Sequence, residues 1–247
     1  MATAKYIVGN WKLHGNAQEN AARLAALKER CRPDDALAVC VPFPYLAQAQ
    51  QALQGSTIGW GAQNVSEHAK GAFTGEVSAA MLADFGCGCA IVGHSERRSL
   101  YGEDDATVAR KAQAVAEAGM TPIVCVGETL AERERGETAQ VVTRQLAAVL
   151  AHVSAETKRR LVIAYEPVWA IGSGRAASEE DVHEVHAMLR GQLEQAGVTG
   201  TRLLYGGSVK ASNAGALLNI ADVDGALVGG ASLDAEEFLA IAQAARV

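Results

Sequence analysis

The sequence predicts an α/β protein whose parallel strands close into a (β/α)8 barrel. Eight short apolar runs, KYIVGN, ALAVCV, TIGWGA, CAIVGH, PIVCVG, LVIAYE, RLLYGG and GALVGG, are spread along the 247 residues. They are rich in Val, Ile, Leu and Cys, too short for helices and not alternating, as expected of strands buried on both faces. Between them lie segments of helical periodicity, which supply the crossovers that parallel strands need. No linker or composition break interrupts the pattern, so residues 1–247 read as one barrel domain. The 247 residues allow about 31 per unit, near the minimum for a barrel of about 250 residues. An open doubly wound sheet is the alternative that the same alternation allows.

The helices carry their own punctuation. Asp104 and Asp105 start one that stops at Gly119. Ser178, with Asp181 three residues on, reads as a capping box, and Val182, Val185, Leu189 and Leu193 then repeat at helical spacing. In a barrel the chemistry belongs at the carboxyl ends of the strands. Polar residues and glycines collect there: Asn10 and Lys12 after the first strand, Gln63 and Asn64 after the third, His94 after the fourth, Glu166 after the sixth. Gly206, Gly207 and Ser208 follow the seventh strand, and Gly229 and Gly230 the eighth.

Composition narrows the partners. Hydrophobic residues make up 49% and charged residues 20%, as in a folded globular protein, and the net charge is −6. A mildly acidic chain argues against nucleic acid or an anionic membrane as partner, and a bound anion needs local donors. Five scattered cysteines, Cys31, Cys40, Cys87, Cys89 and Cys125, read as reduced thiols. No apolar run reaches the roughly 20 residues of a membrane span. "MATAK" leads straight into the first strand, which predicts no signal peptide and a cytoplasmic location.

Taken singly, the candidate residues are ambiguous. YGGSV and VGGAS could be tight turns; at the ends of strands 7 and 8 they favour a phosphate site, because glycine backbone and helix N-termini hold anions there. Neither nucleotide-binding glycine motif is present. In GHSERR, Ser95 can cap a short helix; His94 beside that N-terminus is expected to stay neutral, or else is a structural histidine. Lys12 is a surface lysine or a fixed positive charge for an oxyanion. Glu166 is a rim ion pair or a base, held extended by Pro167. His183 and His186, one helical turn apart, lack further ligands and read as a solvated helix face, so no metal is expected. Cys87 and Cys89 read as buried thiols, and AERERGE as an exposed charged turn. One carboxylate, one histidine, one lysine and a phosphate cradle, without cofactor, suit proton transfer on a small phosphorylated carbonyl compound.

GNWKLHGN, QNVSEHAKGAFTGEVSAAML, IVGHSERR, YEPVWAIGSG, YGGSV and LVGGASL, in this order and over essentially the whole chain, resemble segments of the triosephosphate isomerase family. The resemblance implies the TIM-barrel fold. It also implies interconversion of dihydroxyacetone phosphate and D-glyceraldehyde 3-phosphate through an enediolate, with no cofactor and a phosphorylated triose as substrate. It makes Glu166 the base and His94 the electrophile, with Lys12 and Asn10 near the substrate oxygens and Glu96 behind Lys12. The family's neutral histidine with a lowered pKa is a stock example of such tuning. Gly172, Ser208, Gly229 and Gly230 match the family's phosphate-gripping backbone. PVWAIGSGR matches the mobile lid, with GSGRAA where the family more often has GTGKTA. Trp169 and Ile171 are apolar because a closed lid excludes water. A homodimer is implied as well, with Phe73 of the long loop after strand 3 inserting near His14 and Gly15 of a second copy; without the resemblance, a loop folded back on its own barrel is the favoured reading. A Schiff-base aldolase with Lys12 as nucleophile and a non-catalytic sugar-phosphate-binding barrel are the alternatives.

Overall fold

In the computed structural model, which describes residues 4–171 and 177–244, the strands follow the predicted runs. They are β1 (Tyr6–Asn10), β2 (Ala36–Val41), β3 (Gly59–Ala62), β4 (Cys89–Val92), β5 (Thr121–Val126), β6 (Val162–Tyr165), β7 (Arg202–Tyr205) and β8 (Gly225–Val228). All are parallel, in the order β1 to β8, and β1 pairs with β8 to close the barrel. The doubly wound alternative is thereby excluded. The larger helices that cover them are α1 (Ala17–Arg30), α2 (Leu46–Leu53), α3 (Ala79–Asp84), α4 (Ser95–Tyr101), α5 (Asp105–Glu117), α6 (Leu130–Glu134), α7 (Thr138–His152), α8 (Ala155–Lys158), α9 (Glu179–Gln195), α10 (Ala211–Leu218) and α11 (Ala235–Ala244).

The period-two alternation of a strand explains where the polar residues point. Val8, Ala38, Cys40, Cys89, Ile91, Ile123, Cys125, Val162, Ala164, Leu204 and Leu227 fill the barrel interior as one buried cluster. Continue each inward series by one step and it arrives at Asn10 on β1, Glu166 beyond β6, Gly206 beyond β7 and Gly229 beyond β8. The residues of opposite parity, such as Ile7, Val39, Val92, Val124 and Ile163, pack against the helices. The same register that fills the core therefore aims the strand-end groups into the mouth.

The predicted caps are formed. The Asp104 side chain accepts from the Thr107 N–H, and Ser178 and Asp181 make a reciprocal capping box ahead of α9. At α4, however, the cap is His94 and not Ser95: the imidazole Nδ1 accepts the Glu96 N–H, and Ser95 is already helical. The AERERGE run is partly structural, since Arg133 reaches Asp181 at 2.6 Å and its guanidinium lies 4.3 Å from the centre of the Trp169 ring.

The α9 histidines also depart from expectation. His183 is exposed, whereas His186 is fully buried; its Nδ1–H donates to the Asp222 carbonyl at 3.0 Å, and Nε2 has no partner among the described residues. A proton on Nε2 would be a buried, unpartnered charge, and burial pulls the pKa down to about 4. Between the ordinary value and that one, the unfolded chain binds a proton that the folded chain refuses. Stability contributed by neutral His186 is therefore complete at neutral pH and is lost as pH falls. Going from pH 7 to pH 5 is expected to cost about 2 kcal/mol from this residue. Urea unfolding at both pH values checks it: His186→Gln, which keeps a donor for Asp222 but cannot titrate, should show a clearly flatter dependence, and an unchanged one would refute the assignment.

Candidate active site

A cavity of about 460 Å3 at the carboxyl ends of the strands collects Asn10, Lys12, His94, Glu166, Ser208, Gly229 and Gly230. Every predicted site residue that is described thus lies on one cavity; Gly172 falls outside the described residues. Ile171, the last described residue before that gap, lines the same cavity.

Glu166 is 2% exposed and stands between several donors. Its Oε2 accepts the Ser95 N–H at 2.9 Å, and Oε1 accepts the Ser95 hydroxyl at 3.2 Å. The same Oε1 lies 2.9 Å from His94 Nε2. Burial pushes the carboxyl up, but His94, the Ser95 N–H and the Cys125 thiol outweigh it and hold the group below the ordinary carboxylate value. The Glu166 carboxylate is thus ionised and parked against the start of α4.

His94 is buried at the turn that ends β4, which Gly93 makes with a φ of +66. Because Nδ1 accepts the Glu96 N–H at 3.2 Å, the proton of a neutral ring sits on Nε2, facing Glu166. The sequence argument considered only the helix N-terminus, which disfavours the cation. In the structure burial also pulls the pKa down, but the Glu166 carboxylate, its hydrogen bond and Glu96 outweigh both, so the net shift is upward. The upward push comes chiefly from the Glu166 carboxylate.

Lys12 adopts a positive φ of 51, a conformation costly for a residue with a side chain. Its N–H is held by Asn10 Oδ1 at 3.0 Å, which gives the buried Asn10 a structural task at the mouth. The ammonium lies 2.5 Å from Glu96 Oε1, in the predicted relation. The lysine stem runs beside Gly229, where an added Cβ would sit 3.4 Å from Lys12 Cε. Gly230 opens the short 3-10 turn Gly230–Leu233. One ammonium therefore spans from the glycine cradle to the His94 side of the cavity.

The segment after Glu166 is anchored from behind. Val168–Ala170 form a 3-10 turn, Trp169 Nε1 donates to Glu128 Oε1 at 2.8 Å, and the Ser208 hydroxyl donates to the Ala170 carbonyl at 3.0 Å. Trp169 is thus oriented by a fully buried carboxylate as well as packed, which the apolar reading of the segment did not foresee. The sequence gives no sign that Ser95 and Cys125 neighbour Glu166 or that Glu128 holds Trp169. Glu128 stands out only as a charged residue two positions beyond a buried strand. Among the described residues, no group of three His, Cys, Asp or Glu side chains could hold a metal ion, and no helix is long and apolar enough to cross a membrane.

Fold and site together define an α/β-barrel enzyme equipped for acid–base chemistry on a small anionic substrate. The chain belongs to the triosephosphate isomerase family, whose model matches residues 5–245. It is 62% identical over 244 residues to the triosephosphate isomerase of Thiobacillus denitrificans, covering 98% of each chain. It is 58% identical to that of Ralstonia nicotianae, covering 98% of this chain and 99% of the relative. A crystal structure of triosephosphate isomerase from Bartonella henselae superposes with a TM-score of 0.90 at 41% identity, covering 99% of this chain and 100% of that one. Its activity is the isomerisation of dihydroxyacetone phosphate and D-glyceraldehyde 3-phosphate. The aldolase and the non-catalytic alternatives are set aside by this membership.

Proposed function

We propose that Glu166 is the base of the isomerisation, His94 and Lys12 the groups that stabilise the oxyanion, and Asn10 the residue that fixes Lys12. The observation that carries this reading is the contact between an ionised, buried Glu166 and His94 Nε2 at 2.9 Å, on the cavity shared with Lys12. The carboxylate leaves Ser95 and takes a proton from the carbon beside the substrate carbonyl. The C–H electron pair becomes the enediolate double bond, and the carbonyl oxygen gains the negative charge. His94 Nε2–H and the Lys12 ammonium meet that charge where it develops. The protonated Glu166 then returns its proton to the neighbouring carbon, while oxygen-bound protons exchange through His94. As Glu166 turns to the substrate, the main cause of the raised His94 pKa departs, and a neutral imidazole donor remains.

The backbone of Gly172, Gly229 and Gly230 together with Ser208 holds the phosphate. Support comes from Ser208, Gly229 and Gly230 facing Glu166 across one cavity. Isomerisation in deuterium oxide tests the proton-transfer reading. Product is expected to carry solvent deuterium on carbon; complete retention of the original hydrogen would point to hydride transfer and overturn the base assignment.

The working form is a homodimer. Leu13 is 95% exposed, Leu100 72% and Tyr101 69%, and Phe73, stacked on His68, is 42% exposed at the tip of its loop. Leu13, Leu100 and Tyr101 rim a second cavity that also reaches Lys12 and His94, a fitting receptacle for the Phe73 loop of another copy. Light scattering should give twice the 25.8 kDa chain mass, and an active monomer would refute it. A cytoplasmic location suits the free cysteines, of which Cys87 is pushed up to about 12 by burial and is unreactive.

A further inference from the structure

We propose that Gln145, on the outer helix α7, is a positioning residue for the base: its side-chain amide clamps the two peptide groups that meet at Gly127, against which the Glu166 backbone rests. The inference depends on Glu166 being the base. Gln145 is 5% exposed. Its Oε1 accepts the Gly127 N–H at 2.7 Å and its Nε2–H donates to the Gly127 carbonyl at 3.2 Å. One donor and one acceptor thus satisfy both polar groups of a single residue at the exit of β5.

Gly127 lies where the base and the lid are hung. The residue before it, Val126, accepts the Glu166 N–H at 2.8 Å, and the residue after it, Glu128, accepts the Val168 N–H at 3.2 Å. The two backbones touch so closely that a Cβ on Gly127 would lie 1.8 Å from the Glu166 carbonyl oxygen. No side chain can stand at position 127, so the two peptide groups that meet there have no side-chain packing at 127 to fix their planes. The restraint has to come from elsewhere, and Gln145 supplies it. Gln145 also lines a cavity of about 330 Å3 whose wall includes Glu166, Ser95 and Val168. A neutral amide is the chemical type this wall requires. A lysine offers no acceptor, and an ionised carboxylate offers no donor and repels Glu166. An apolar residue would leave a buried N–H and C=O unpaired and the two peptide planes at Gly127 free to turn.

A sub-ångström shift of the carboxylate affects the proton-transfer step more than it affects substrate binding. In the full-length protein, Gln145→Met is expected to lower kcat about 10- to 100-fold while KM stays within about threefold. The primary isotope effect with substrate deuterated at the reacting carbon should rise, because proton transfer becomes the slow step. A merely structural glutamine would lower the melting temperature and leave both kinetic signatures of the folded enzyme unchanged. Gln145→Glu is the second variant. Its protonated form has the amide's donor and acceptor, so activity relative to parent should recover as pH falls, in the range where Glu166, held low, is still ionised. Parental kcat and isotope effect in folded Gln145→Met overturn the proposal. If that variant does not fold, the absence of acid recovery in Gln145→Glu overturns it. Glu166→Gln measured alongside separates the two readings. An inactive Glu166→Gln beside a fully active Gln145→Met refutes only the clamp, whereas an active Glu166→Gln refutes the base.

Discussion

Glu166→Gln is expected to lower kcat by about 10²- to 10⁴-fold while leaving phosphate-ligand affinity close to that of the parent. The amide has nearly the volume of the carboxylate but cannot take a proton from carbon. The loss therefore falls on an interaction made in the transition state. The structure adds a second consequence. The Ser95 N–H, the Ser95 hydroxyl and His94 Nε2–H converge on the carboxylate oxygens. An amide offers them one oxygen and one NH2, so at least one donor is left facing another donor. A stability loss of about 1–3 kcal/mol should accompany the catalytic one. The His94 pKa should fall as well, because the carboxylate that raises it is gone and burial is left to act. Near-parental turnover, or a His94 titration that does not move down in the NMR spectrum of the variant, would refute the assignment of Glu166.

The readable parts of this molecule are those that depend on near neighbours along the chain. The eight apolar runs are strands because burial on both faces demands them, and Asp104 and Ser178 cap helices by reaching three residues ahead. The inward series on each strand already pointed Asn10 and Glu166 at the mouth. What the sequence hid lies far apart in it. Ser95 holds Glu166 across 71 positions, and Gln145 meets Gly127 across 18 from a different element. Ser95 carries an ordinary helix-start signature, so its second task is invisible until β4 and β6 are set in space. His186 misled for a related reason: its spacing from His183 described one helix, while its burial depends on the Asp222 carbonyl beyond β7. For His94 the dipole argument named a real influence and omitted the larger one, a carboxylate from another strand.

Lys12→Met is expected to lower kcat/KM by about 10²- to 10³-fold, with a rise in KM as well as a fall in kcat. The chain carries a net charge of −6, so a doubly charged phosphate ester meets a repulsive field and relies on cations placed at the cavity. Lys12 is placed at some cost, in a left-handed backbone conformation secured by Asn10. Methionine keeps the length of the stem beside Gly229 and removes only the ammonium. Glu96 loses its partner but is 44% exposed at the side chain, so water can solvate it and the fold should be nearly unchanged. Lys12→Arg should recover only part of the loss, because a planar fork does not reproduce a compact ammonium. Lys210 is the informative control: it lines the same cavity but is exposed on the solvent side. If the position of Lys12 matters, Lys210→Met should cost less than about tenfold, within the range of a screened surface charge. Equal losses in the two variants would mean that the cavity needs positive charge in general, and the specific role given to Lys12 at the developing oxyanion would fall.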